Sequence, residues 1–315
     1  MSAVPGRGWL APALCVGALL VMVLAGCDLG GDVAPTETPA PTLPLLQASP
    51  TTNPVLPLAE GPAIHDPGLG AAGVSNATQA SLAAEGQPAQ DLPTVTPLPT
   101  DARLPMLISA DDGLVLRATY YSAPVRPAPG VLMLHQRGAD RTSWEALALR
   151  LQAAGYAVLA MDQRGYGETG GAEDWALAQG DASAALEMLA GLPGIAPGQV
   201  IVIGASLGAN VGLNACAAWP GCAAAVLFSP GLDYRGITTA EAMARLGTRP
   251  VLIVAGENDG NNPADSLTLG SLAAGDHDVL VFSQGGHGTA LLEAVPDLAD
   301  RVVAWLVAHV PPPAS

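Results

Sequence analysis

The C-terminal two thirds of this 315-residue chain predicts an α/β domain: a doubly wound, mostly parallel sheet of about eight strands with helices on both faces. Three observations carry that expectation. Between residues 103 and 311, short β-rich runs alternate with Ala- and Leu-rich stretches of helical length. Most of the short runs are apolar without interruption, as strands covered on both faces require. Regular β/α alternation in turn implies a wound, parallel sheet. In order, 106–110 and 114–121 read as opening strands around the turn Asp111-Asp112-Gly113. The apolar runs 131–134, 157–161, 200–203, 224–228, 251–255 and 279–282 supply six more. Helices are expected over 144–154, 174–190, 207–218, 239–246, 264–273 and 289–309.

Composition narrows the function classes. The formal net charge is −16, and all twelve basic residues are Arg. Such a balance offers no basic surface to release counterions from a nucleic-acid backbone, so no nucleic-acid partner is expected. A hydrophobic content of 50% with only 4% aromatics excludes a wholly disordered chain and leaves Ala, Leu and Val to build the core.

Two further segments precede the domain. Arg7 followed by an uncharged, mostly apolar run to Cys27 has the pattern of a secretory signal. The run ends in Leu24-Ala25-Gly26-Cys27, which resembles a bacterial lipobox. That resemblance implies a signal peptide over 1–26 and a diacylglyceryl group on Cys27, anchoring the mature chain to the cell membrane outside the cytoplasm. An uncleaved membrane anchor is the alternative, since the run is just long enough for a marginal span. Residues 27–102 read as a tether. Proline recurs every few residues, aromatics are absent, and 28–100 carries seven acids and no bases. Proline removes backbone donors and fixes φ, and too little apolar surface remains to offset the entropy of ordering. A binding segment is the alternative.

The chemistry-bearing motifs lie in the domain. The apolar run 200–203 leads into Gly204-Ala205-Ser206-Leu207-Gly208 and then a helical stretch. This is G-x-S-x-G in a strand–turn–helix setting, where a sharp turn exposes the Ser hydroxyl at a helix N-terminus. Farther along stand Gly256-Glu257-Asn258-Asp259 after the run 251–255, and Gly285-Gly286-His287-Gly288 after the last run. His135-Gln136-Arg137-Gly138 follows the run 131–134, and Asp162-Gln163-Arg164-Gly165-Tyr166-Gly167 follows 157–161. In this order the motifs resemble the α/β-hydrolase family, with dienelactone hydrolases and serine esterases the nearest kind, over residues 103–311.

The resemblance implies Ser206 as nucleophile, His287 as base and Asp259 as acid. It also implies an oxyanion hole from the Gln136 and Leu207 N–H groups, with Gln136 standing where the family usually has Gly. His135 fits the structural His of that loop. Glu257 and Asp233 remain rivals to Asp259. No metal or organic cofactor is called for, and the partner is a small acyl substrate, with no obligate protein partner. The expected activity is ester cleavage by an extracytoplasmic, membrane-tethered enzyme. A peptidase or acyltransferase on the same triad, or a silent binding module of the same fold, are the alternatives.

Other residues divide between structure and specificity. Arg137, Arg141 and Arg164 fall on loops near the expected mouth, where they either attract an anionic substrate or pair with loop carboxylates. Asp162 and Arg164 are expected to pair with each other. Trp144, Trp175 and Tyr166 either line a pocket or pack. Cys216 and Cys222, separated by a Trp-Pro-Gly turn, are expected to form a disulfide in an oxidising exterior, and two cysteines lack the spacing of a zinc site. The segment 229–249 has room for about one helix. Little or no cap domain is therefore expected, which suits small soluble esters better than an oil interface.

Overall fold

The computed structural model describes residue 100 and residues 102–314; the expected signal segment, Cys27 and nearly all of the tether lie outside the described residues. The elements run β1 (Arg103–Ser109), β2 (Val115–Tyr121), β3 (Ala128–Leu134), a 3-10 turn (Arg141–Trp144), α1 (Glu145–Ala153), β4 (Ala157–Met161), α2 (Trp175–Gly191), β5 (Ile195–Ala205), α3 (Leu207–Ala218) and β6 (Cys222–Phe228). They continue through β7 (Asp233–Tyr234), β8 (Ile237–Thr238), α4 (Ala240–Leu246), β9 (Val251–Gly256), α5 (Asn262–Leu272), β10 (His277–Phe282), α6 (Ala290–Ala294) and α7 (Leu298–His309).

Eight strands form one sheet in the order β1-β2-β4-β3-β5-β6-β9-β10. β1 and β2 pair antiparallel, as do β2 and β4; every pair from β4 onward is parallel. All eight strands read from the apolar runs are present. The chain steps from β3 outward to β4 and then returns to the other side of β3 as β5. Such a reversal opens a crevice beyond the carboxyl ends of the strands, where open α/β sheets bind ligands.

Strand alternation sorts the core into two layers. Leu132, Leu134, Val202 and Leu227 pack on one face with Leu186 of α2, Leu213 of α3 and Met243 of α4. Val131, Met133, Ile203 and Val226 pack on the other with Leu147 of α1 and Leu306 of α7. Each such fully buried side chain stabilises the fold by about 1.5–3 kcal/mol before entropy is counted. α3 lies closest to the sheet because small residues let it. A Cβ at Gly212 would sit 2.5 Å from Val202 Cγ1, and one at Gly208 would sit 2.4 Å from the His135 carbonyl oxygen.

Three expectations need correction. The single helix expected over 289–309 is two, α6 and α7. Pro296 sits between them, and proline can neither donate its N–H to the preceding turn nor clear the carbonyl four residues back. The segment 229–249 holds, besides the expected helix, the antiparallel hairpin β7–β8. Asp162 and Arg164 do not pair: Asp162 is bonded to Arg141, and Arg164 to Asp181 and Asp112. Side chains two residues apart at the end of a strand are sent to different partners.

Cys216 and Cys222 are disulfide-bonded, with Cα atoms 5.2 Å apart. Beside the bond, the Arg249 guanidinium donates to the carbonyls of Cys216, Ala217 and Trp219 at 2.6, 3.2 and 3.1 Å. It thereby takes up carbonyls that the end of α3 leaves without helical partners. Burial pulls its pKa below the usual arginine value.

Candidate active site

The loops after β5, β9 and β10 converge at the carboxyl end of the sheet. Ser206 occupies the turn from β5 into α3 with φ 53° and ψ −121°, a conformation that costs a non-glycine residue about 1–3 kcal/mol. Its neighbours hold it there. The Ser206 N–H donates to the Phe228 carbonyl at 2.7 Å, and a Cβ at Gly204 would strike the Gly208 carbonyl oxygen at 2.3 Å. G-x-S-x-G is thus a packing requirement, because β5 and α3 touch through their glycines.

His287, on the loop between β10 and α6, places Nε2 2.6 Å from Ser206 Oγ. Its Nδ1 lies 2.9 Å from each carboxylate oxygen of Asp259, on the loop between β9 and α5. With Nδ1–H donating to the carboxylate, Nε2 is free to accept from the Ser206 hydroxyl. The rival acids lie elsewhere. Glu257 is exposed, and Asp233 accepts the Gly236 N–H at 2.8 Å within the β7–β8 turn.

The two residues expected to line an oxyanion hole follow adjacent strands, with Leu134 of β3 in register with Gly204 of β5. Gln136 follows β3, and Leu207 opens α3. Neither N–H donates to an acceptor among the described residues. His135 is fully buried and organises the loop. Its Nδ1 donates to the Gln136 carbonyl at 2.7 Å, while Nε2 accepts the Gln163 N–H at 3.0 Å. Burial lowers its pKa from the ordinary 6.5, which keeps the ring neutral, as both bonds require. Tyr166 stacks edge-on against it at 5.3 Å.

The Gln136 side chain binds the oxyanion loop to the histidine loop. Its Nε2 donates to Thr289 Oγ1 at 2.9 Å, and its Oε1 accepts the Thr289 N–H at 3.3 Å. The Gly288 N–H donates to Ser229 Oγ at 3.0 Å, so both residues after His287 are fastened. A glycine at 136 could not make this latch. Thr289 and Ser229 lie in no motif, and the departure from Gly at 136 was the single cue to them.

Asn262 and Tyr234 were likewise outside the sequence reading. Asn262 opens α5 and donates from Nδ2 to Asp259 Oδ2 at 2.6 Å. Its spacing of three from Asp259, just before Pro263 at a helix start, is the signal that could have marked it. Tyr234 reaches Asn262 from the β7–β8 hairpin.

The three loop arginines are committed to carboxylates. Arg137 pairs with Glu173 at 3.1 Å, and Arg164 with Asp181 at 2.5 Å. Arg141 joins Asp162 and Glu168. These pairings remove the argument for an anionic substrate. Trp144 is core rather than pocket, fully buried and edge-on to Phe228 at 5.5 Å.

A family model described as serine aminopeptidase, S33, matches residues 126–250. That stretch includes Gln136, Ser206 and Leu207 and stops short of Asp259 and His287. An uncharacterized protein of Mycobacterium tuberculosis is 28% identical over 216 residues, 60% of this chain and 76% of its own length. Among solved structures, a dienelactone hydrolase from Anabaena variabilis superposes with a TM-score of 0.56 at 18% identity, covering 67% of this chain and 99% of that one. The domain has the α/β-hydrolase fold. The esterase Pf2001 of Pyrococcus furiosus shares it as well, with a TM-score of 0.55 at 18% identity over 66% of this chain and 91% of that one. Together the matches support a hydrolase. The domain places Ser206, His287 and Asp259 on the loops after β5, β10 and β9.

Proposed function

We propose that the chain is a serine hydrolase that cleaves small carboxylic esters through an acyl-enzyme intermediate. The observation that carries this reading is the continuous path from Ser206 Oγ to His287 Nε2 at 2.6 Å and from His287 Nδ1 to Asp259 at 2.9 Å. A serine hydroxyl is a poor nucleophile unless a base takes its proton. In this reading His287 Nε2 accepts that proton as Oγ attacks the ester carbonyl. Asp259 fixes the imidazole tautomer and stabilises the imidazolium. The Gln136 and Leu207 N–H groups receive the oxyanion, each worth roughly 3 kcal/mol. His287 then protonates the departing alcohol, and water repeats the sequence to release the acid.

Three features favour small, soluble esters. The segment 229–249 contributes only a hairpin and one short helix. The His287 side chain is 41% exposed. The nearby arginines are already paired. A peptidase is the second reading, favoured by the description of the family model that matches. Acyl transfer and a silent binding role fit the geometry less well, the latter because a binding module has no need of all three groups in contact.

For location we propose export and anchoring through a diacylglyceryl group on Cys27, with residues 27–102 as tether. The lipobox-like Leu24-Ala25-Gly26-Cys27 supports this. Cys27→Ser should release the protein from the membrane fraction, and unchanged association would sink the anchor.

A fluorophosphonate probe tests the activity. The folded domain should be labelled on Ser206, and Ser206→Ala should abolish labelling. An ester and amide panel then separates esterase from peptidase. An unlabelled wild-type protein that is folded overturns the serine-hydrolase reading.

A further inference from the structure

Asp259 has a partner besides His287, and that partner has one of its own. Asn262 Nδ2 donates to Asp259 Oδ2 at 2.6 Å, and Asn262 Oδ1 accepts the Tyr234 hydroxyl at 2.5 Å. Asn262 Nδ2 also lies 2.9 Å from His287 Nδ1. Both nitrogens are donors to the same carboxylate, so this distance marks two groups converging on one acceptor rather than a bond between them. We propose that Tyr234 and Asn262 are positioning residues that act through Asp259: the tyrosine fixes which way the Asn262 amide faces, and the amide fixes the rotation of the carboxylate that orients His287. The inference rests on the serine-hydrolase reading above.

The chemistry of each group supports the order of action. A carboxylate that meets a single imidazole N–H can swing about its Cβ–Cγ bond, and a second donor removes that freedom. An amide can present either its oxygen or its nitrogen. The oxygen turned toward Asp259 would repel the carboxylate, and a donor on the far side reinforces the orientation with the nitrogen inward. Tyr234 is such a donor. Burial first, and the Asp259 charge second, push its pKa up to about 12, so it keeps its proton throughout the neutral range.

Tyr234 is itself held in place. A Cβ at Gly231 would lie 2.6 Å from its ring. The same turn is tied down by Asn210, whose Nδ2 donates to the Gly231 carbonyl at 3.0 Å and whose Oδ1 accepts the Gly231 N–H at 3.1 Å. The small β7–β8 hairpin thus has a task at the triad. Asn262 is 6% exposed, so water does not readily replace the tyrosine.

The test compares wild type, Tyr234→Phe, Asn262→Ala and the double variant by fluorophosphonate labelling rate and by ester kcat and KM. Tyr234→Phe keeps the ring against Gly231 and should fold normally. It should lower kcat by about threefold to tenfold, and Asn262→Ala by about tenfold to a hundredfold, from the usual value of hydrogen bonds to neutral and charged groups. KM should stay within about twofold, as when an interaction made in the transition state is lost. Because both residues act through one carboxylate, the double variant should be no slower than Asn262→Ala alone. The proton NMR signal of His287 Nδ1–H should broaden in both single variants. Labelled wild type with unchanged kcat and an unchanged Nδ1–H signal in Tyr234→Phe overturns this inference alone, and so do strictly additive losses. An unlabelled, folded wild type overturns the activity beneath it.

Discussion

Two aspartates follow parallel strands at the carboxyl end of the sheet, and they differ in burial and in partner. Asp162, after β4, is fully buried and is met by the Arg141 guanidinium, the Arg141 N–H at 2.7 Å and the Glu168 N–H at 2.8 Å. Asp259, after β9, has a side chain 15% exposed and is met by the Asn262 amide and the His287 imidazole. A carboxylate opposite a guanidinium has its charge compensated in the resting state. Asp162 ties the 3-10 turn that opens with Arg141 to the loop after β4 that carries Gly167. A carboxylate opposite an amide and an imidazole would, in the proposed reaction, keep its charge available for the imidazolium. In the proposed reading, what separates the two acids is the guanidinium that meets Asp162 and does not meet Asp259.

Exchanging each acid for its amide should split the two roles most widely. Asp259→Asn should lower kcat by about 10⁴-fold, because the amide favours the wrong imidazole tautomer, while the melting temperature moves little. Asp162→Asn leaves the Arg141 guanidinium, mostly buried, with only the exposed Glu168 as counter-charge. It should lose about 3–5 kcal/mol of stability, read as a drop of roughly 10 °C in Tm, while turnover per folded molecule stays near wild type. Turnover abolished by Asp162→Asn in a folded protein would end the distinction.

The Gln136 latch extends the comparison to a neutral contact. Gln136→Ala should reduce kcat by about tenfold through loss of its bonds to Thr289. Stopped-flow measurement of acylation checks this, and an unchanged rate would confine the latch to scaffolding.

The two site histidines offer a parallel contrast, one buried and neutral, the other exposed. The folded-state pKa of His135 lies below its ordinary 6.5, so the unfolded chain binds the proton more readily. Its contribution to stability is complete above about pH 6.5 and is lost as pH falls through the folded value. Urea midpoints measured from pH 7.5 to 5 should therefore fall more steeply for wild type than for His135→Asn. Parallel curves would contradict the neutral assignment. The smallest effects belong to the rival acids: Glu257→Ala and Asp233→Ala should change kcat less than about twofold, as surface substitutions do.

The legible parts of the fold were those with strong local signals. Runs such as 200–203 and 251–255 are too apolar to be anything but interior strands in an alternating chain. Ser206, His287 and Asp259 stand in glycine-flanked loops whose order along the chain is distinctive. What escaped notice depends on contacts between distant segments. Arg141 reaches Asp162 from a turn 21 residues away, so proximity in sequence pointed to Arg164 instead. Tyr234 and Asn262 are 28 residues apart and belong to no motif, since a neutral hydrogen bond imposes no spacing. The hairpin β7–β8 has two residues in each strand, too few for alternation to register. The split at Pro296 was readable and was passed over because the apolar pattern continues on both sides of it.

The exposure of His287 bears on what becomes of an acyl group once it sits on Ser206. In the proposed reaction, an imidazole that is 41% exposed draws its next proton donor from bulk solvent. On that reading, water at its bulk concentration would outcompete scarce nucleophiles, and the acyl group would leave as a free acid. A short-chain alcohol added in molar amounts shares that open approach. The ratio of transesterified product to free acid should then rise in proportion to the alcohol added, making partition a direct gauge of how much roof the site lacks.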